Sequence, residues 1–156
     1  MVAHLEESDQ VLDPDLSEPS TGMPVASALG LVVVVLGGGL GSIARAAVLG
    51  PLDVTGHAFP WRLLVVNTLG AFLLGILATW FHRRRPGEHL LRLFCTTGIL
   101  GGWTTYSSLV GATLILGHNG ATTTAVVAVV VSFAAGLIAA ALGMDLTGRV
   151  LDRPEP

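Results

Sequence analysis

Four apolar runs, joined by short polar links, limit the folds open to this chain more than any other feature. They extend over about 25–49, 61–81, 90–116 and 121–144. Roughly 20 apolar residues suffice for one helical crossing of a bilayer. Lipid offers the backbone no hydrogen-bond partners, so each run is predicted to be helical. The expected fold class is therefore all-α, a membrane protein with four transmembrane helices in a domain covering 25–148. The composition suits this reading: 51% of residues are hydrophobic, 12% are charged, and the mean hydropathy is +0.71. Soluble domains carry about a quarter charged residues. Trp61 and Trp80 bracket the second run, about 28 Å apart along a helix at roughly 1.5 Å per residue, as aromatic belts at two interfaces would be.

The flanks read differently. Residues 1–24 hold six of the eleven acidic residues together with Pro14, Pro19 and Pro24. Such a segment buries too little apolar surface to offset its ordering entropy, so a disordered acidic tail is expected. It does not read as a signal peptide, because the first basic residue is Arg45. Residues 149–156 form a short polar C-terminal tail.

Small residues recur at helical spacing. Gly37 and Gly41 form a small-xxx-small face in the first run. Ala71 and Gly75 do so in the second, and Ala128, Ser132, Gly136 and Ala140 in the fourth, all suited to close helix contact. The third run contains Gly98-Ile99-Leu100-Gly101-Gly102-Trp103-Thr104-Thr105-Tyr106-Ser107-Ser108-Leu109. Glycines weaken a helix by about 1 kcal/mol each, and the Thr and Ser pairs behind them compete for backbone groups. Two readings stand here: close packing of helices, or a helix broken mid-span whose freed carbonyls and hydroxyls face water or an ion. Asn67 likewise either bridges helices or faces a solute. Arg45 either snorkels to headgroups or has a buried structural or anion-facing role.

The excluded chemistry narrows the function. No nucleotide-binding loop is present, and no carboxylate or histidine lies mid-span. Proton-coupled export normally uses an intramembrane carboxylate, which sets aside a small multidrug exporter as the transporter rival. No basic face for nucleic acid is visible. Cys95 is the only cysteine, so disulfides within the chain are excluded. An uncharged donor track remains: Asn67, Thr104, Thr105, Tyr106, Ser107 and Ser108. Groups of this kind suit passive movement, in which binding must be weak enough for the solute to leave. Six arginines (Arg83, Arg84, Arg85, Arg92, Arg149, Arg153) lie on the side of the termini, against Arg45 and Arg62 on the other. The positive-inside rule then places both termini in the cytoplasm.

Gly38-Gly39-Leu40-Gly41-Ser42 with Arg45, Phe59-Pro60-Trp61 leading to Asn67-Thr68-Leu69-Gly70, and the Gly98-to-Ser108 stretch together resemble the CrcB/Fluc fluoride channels. The resemblance covers roughly residues 30 to 148. It implies an antiparallel, dual-topology dimer in the cell inner (plasma) membrane, passing fluoride outward through two narrow pores. It also implies a structural sodium ion, not transported, held by the backbone carbonyls of Gly101 and Thr104. Asn67, Tyr106, Ser107, Ser108 and Leu109 are the implied fluoride pathway, with Arg45, Gly102 and Thr105 structural. The chain departs from the family pattern at Tyr106 and Leu109, which stand where the family has phenylalanines, and at Arg62-Leu63, where it usually has Gly-Thr. Leucine lacks the electropositive ring edge of phenylalanine. The expected partners are thus fluoride, the lipid bilayer and either a second copy or a homologous subunit. The structural rival is a non-conducting partner subunit of a heteromeric channel.

Overall fold

The computed structural model describes residues 25–50 and 57–152. The expected acidic tail, the loop residues 51–56 and the end of the C-terminal tail lie outside the described residues. Four helices within the described residues are long and apolar enough to cross a membrane. They are α1 (Val25–Leu49), α2 (Trp61–Arg84), α3 (His89–His118) and α4 (Thr122–Leu151). The last helix runs on past Met144, because Asp145 and Arg149 pair one turn apart at 2.8 Å and continue the helix on a polar face.

The helices run alternately up and down. Arg83 at the end of α2 pairs with Asp152 just after α4, while His57 Nε2 lies 2.8 Å from the Asn119 carbonyl at the opposite end. Inside the bundle, α2 lies along α4 and α1 along the first half of α3. The second half of α3 packs against α4. Leu63, Val66, Phe81, Leu100, Leu109, Ala112 and Leu116 are buried between them. Large apolar side chains such as Val35, Ile43 and Leu137 remain exposed on the outside. Apolar outer faces on all four helices match an environment of lipid or partner rather than water.

The small-residue faces do the packing. A Cβ on Gly41 would collide with the Ile99 carbonyl, and one on Gly102 with the Gly38 carbonyl, so α1 and α3 meet backbone to backbone. On the other seam, Gly75 abuts the Ala140 carbonyl and Gly143 the Phe72 carbonyl. Gly136 differs from the rest of its strip, with open space where a Cβ would sit. That contrast makes a prediction. Overpacking of a tight contact costs about 1–3 kcal/mol, so Gly143→Ala should lower the unfolding midpoint in detergent. Gly136→Ala should leave it unchanged or raise it, since alanine favours helix by about 1 kcal/mol. Equal midpoints for the two variants would contradict this packing.

The third helix is the irregular one. Leu93–Leu100 forms a π-helical segment, in which hydrogen bonds skip to the fifth residue. Within it, Thr96 Oγ1 donates back to the carbonyl of Arg92, just before the segment, at 2.7 Å, a side-chain bond of the kind that loosens helices. One α-turn follows at Gly101–Trp103. Thr104 (φ −77°, ψ 152°) and Thr105 (φ −147°, ψ 118°) are then extended, and helix resumes over Tyr106–His118. The two halves stay nearly collinear, with a bend of 11°. The glycines themselves are not where the dihedrals change: Gly101 is ordinary right-handed helix (φ −64°, ψ −36°).

Candidate functional site around the extended step of the third helix

The extended step exists because another helix supplies its hydrogen bonds. Asn67 on α2 accepts the Thr105 N–H at its Oδ1 (2.9 Å) and donates from Nδ2 to the Thr105 carbonyl (3.1 Å). The N–H must meet the oxygen, so this pairing fixes the amide's orientation. One Nδ2 hydrogen is left over. Thr105 is 6% exposed, and without Asn67 both its backbone groups would be buried unpaired.

The same bonds release two carbonyls. In a continuous helix the Thr105 N–H would bond to Gly101, and the Ser108 N–H to Thr104. Thr105 turns instead to Asn67, and the Ser108 N–H goes to Thr105 Oγ1 at 3.1 Å, which caps the new helix. Neither carbonyl thus has its helical donor. The Thr105 hydroxyl lies 3.0 Å from Ser108 Oγ and 3.2 Å from Ser107 Oγ. With Thr105 donating to Ser108, the Ser108 hydroxyl proton is free for another acceptor.

Neighbouring contacts hold the step in place. Trp103 Nε1 donates to the Val66 carbonyl at 2.9 Å. Thr104 Oγ1 bonds back to the Leu100 carbonyl at 3.0 Å, and the Thr104 methyl and Trp103 ring crowd Gly70 so closely that no Cβ would fit there. Beside the step opens a groove of about 310 Å³, lined by Asn67, Ala71, Leu74, Thr104, Thr105, Tyr106, Leu109, Ser132 and Phe133. Its polar groups are amide and hydroxyl, with no formal charge. Among the described residues the carboxylates are Glu88, Asp145 and Asp152, all toward the Arg83 end of the bundle.

The residues singled out in the sequence are distributed as follows. Asn67, Tyr106 and Leu109 reach the groove together with Thr104 and Thr105. Tyr106 is 68% exposed, whereas Leu109 is 4% exposed and packs on Leu63 and Ala112. Ser107 and Ser108 stand one turn along α3, outside the lining, and Gly101 is exposed beyond it. Gly102 belongs to the α1 seam, where Ser42 Oγ donates to its carbonyl at 3.4 Å. Arg45 is half-buried, and no hydrogen bond or ion pair among the described residues involves it. Arg62 donates to the Val48 carbonyl at 2.6 Å, placing its charge at the C-terminal end of α1, where the helix dipole favours a cation. Sequence reasoning assigned no site role to Ser132 or Phe133. The available signal was a hydroxyl beside the one aromatic residue of this helix, in the middle of a stretch of Val and Ala.

Comparison with known proteins adds to this geometry. Residues 32–144 match the family model described as CrcB-like protein, Camphor Resistance (CrcB). The chain is 41% identical over 118 residues to the fluoride-specific ion channel FluC of Methylobacterium sp., covering 76% of this chain and 95% of that protein. It is 42% identical over 125 residues to FluC of Thermus thermophilus, covering 77% and 96%. The protein of that name from Rhizobium meliloti is 36% identical over 117 residues, covering 74% and 94%.

Proposed function

The chain belongs to the CrcB family, and from that premise we propose that it is a fluoride-selective channel that passively exports fluoride across the cell inner membrane. The observation that carries this reading is the groove: uncharged donors converge on it and no carboxylate accompanies them. An anion entering it meets the spare Asn67 N–H and the hydroxyls of Tyr106 and Ser132. Such donors replace part of its hydration without holding it as a fixed cation would. No proton carrier is needed. An interior-negative membrane drives an anion outward by about 2.3 kcal/mol per 100 mV. At about 1.36 kcal/mol per decade, that sustains roughly a 50-fold lower internal concentration. The direct test in cells is expression in a fluoride-sensitive bacterium. Growth in millimolar fluoride should be restored by the chain alone or together with a homologous subunit, and no restoration in either case would count against the reading.

A structural sodium ion is the second part of the proposal. The carbonyls of Gly101 and Thr104 fit a hard cation, since both lack their helical donors and carry partial negative charge. A bound sodium would contribute fixed positive charge between helices and hold the extended step open. Pairing is the third. Two chains packed antiparallel would close the open groove into pores.

We further propose that the partner is a homologous subunit rather than a second copy. Six arginines against two favour one orientation, whereas an antiparallel homodimer needs both. Reporters fused to the two termini of the chain expressed alone should therefore report a single side of the membrane. Equal signals from both sides, with full fluoride resistance, would defeat the heteromeric arrangement. The non-conducting-subunit alternative predicts resistance only when the partner is supplied.

A further inference from the structure

We propose that Phe133 is a selectivity-determining residue of the anion path, its ring forming with Tyr106 an aromatic wall of the groove beside Asn67. The inference rests on the fluoride-channel reading above and extends it to α4, a helix that contributes no residue to the pathway implied by the family resemblance. The two rings come from different helices, yet their centroids are 6.3 Å apart and their planes lie at 62°. Both line the groove that contains Asn67, Thr104 and Thr105. Both also keep more than half their surface open, 68% for Tyr106 and 54% for Phe133. They are therefore available to a solute rather than used up in the core. Leu109 supplies only buried support beneath them.

An aromatic ring is electrically negative on its faces and positive around its edge. In a tilted pair one edge leans toward the neighbour's face, which orients both rings and leaves other edge hydrogens free. An anion in the groove can then be met by ring edges on one side and by the Asn67 N–H and Ser132 hydroxyl on the other. Attraction of this kind falls steeply with distance. A small anion therefore gains far more from it than a large one, so the wall favours fluoride over chloride. It also adds no fixed charge that would trap the ion. The other role open to Phe133 is a surface ring that only fills space toward lipid.

Efflux of fluoride and of chloride from liposomes separates these roles. Phe133→Leu should reduce fluoride efflux and the fluoride-to-chloride ratio by about tenfold or more, and Phe133→Tyr should restore most of both. Leu137→Ala, one turn along the same exposed face, should change neither. Pentafluorophenylalanine at position 133 keeps nearly the same shape but makes the ring edge negative, so it should impair selectivity as much as leucine does. This second variant answers the question even if Phe133→Leu folds poorly. Unchanged selectivity with the fluorinated ring, beside an active unmodified channel, would overturn the role of Phe133 alone. Absence of fluoride efflux from the unmodified protein, both alone and with a homologous partner, would overturn the channel reading and this inference with it.

Discussion

Replacing Asn67 by leucine is expected to abolish fluoride flux and to destabilise the fold, the largest single-residue effect anticipated for this chain. Leucine keeps the branched skeleton of asparagine, with somewhat bulkier methyl groups in place of the amide, so the main loss is the amide's hydrogen bonding. Two consequences follow together. The Thr105 N–H and carbonyl, bonded to Asn67 at 2.9 and 3.1 Å, lose their partners at a residue that is 6% exposed. Each unpaired buried group costs about 1–3 kcal/mol. The cheapest escape is for Thr105 to return its N–H to the Gly101 carbonyl, which would make α3 continuous and remove the step. The spare amide donor also leaves the groove, so flux should fall by about a hundredfold or more, in line with losing a central donor in a desolvated site. The neighbouring position gives the contrast. Thr68 Oγ1 is buried without a hydrogen-bond partner, so the near-isosteric Thr68→Val should be neutral or stabilising. Fluoride efflux and unfolding midpoints of the two variants, measured side by side, check this. An active, stable Asn67→Leu protein would refute the clamp.

The second large effect concerns sodium. Purification and reconstitution with N-methylglucamine in place of sodium should abolish fluoride efflux, and returning sodium should restore it. The reason lies in the two carbonyls, Gly101 and Thr104, whose helical donors are engaged elsewhere. Carbonyls without donors would be costly to bury against a facing subunit, and a cation between them would relieve that cost. Gly101→Val should remove efflux as well, though not through backbone strain, because Gly101 has ordinary helical dihedrals and open space around its Cβ position. A single chain should therefore fold with valine there. The branched side chain would instead stand beside the exposed carbonyl and obstruct both the ion and a facing subunit. Intact helical content with lost efflux is the expected pair of results. Full efflux from Gly101→Val, or from protein exhaustively freed of sodium, would contradict the site.

The spans and seams were legible in the sequence because each depends on local pattern. Apolar length gives a crossing, and glycines four apart give a face, which is why Gly37 and Gly41 do meet α3. The irregularity of the third helix was legible only to within a few residues. Gly101 and Gly102 suggest a weak point, but Gly102 uses its missing side chain for contact with Gly38, and helix persists through both. The dihedrals change instead at Thr104 and Thr105, where Asn67 competes for the backbone from 38 residues away in sequence. No local propensity encodes that competition. Leu109 shows the same limit, since its place in the core comes from Leu63 on α2 and Ala112. Ser132 and Phe133 were hidden for a related reason: only the register of α4 against α3 brings them beside Tyr106.

Selective passage of fluoride is read most directly from efflux out of liposomes loaded with both halides. The reconstituted chain, alone and with a homologous partner, would be followed by fluoride- and chloride-sensitive electrodes after valinomycin is added to balance charge. In at least one of these preparations fluoride should leave rapidly while chloride is retained, a difference of about a hundredfold or more for a path lined by closely placed donors. Equal rates for the two halides, or no fluoride efflux in either preparation, would contradict the account.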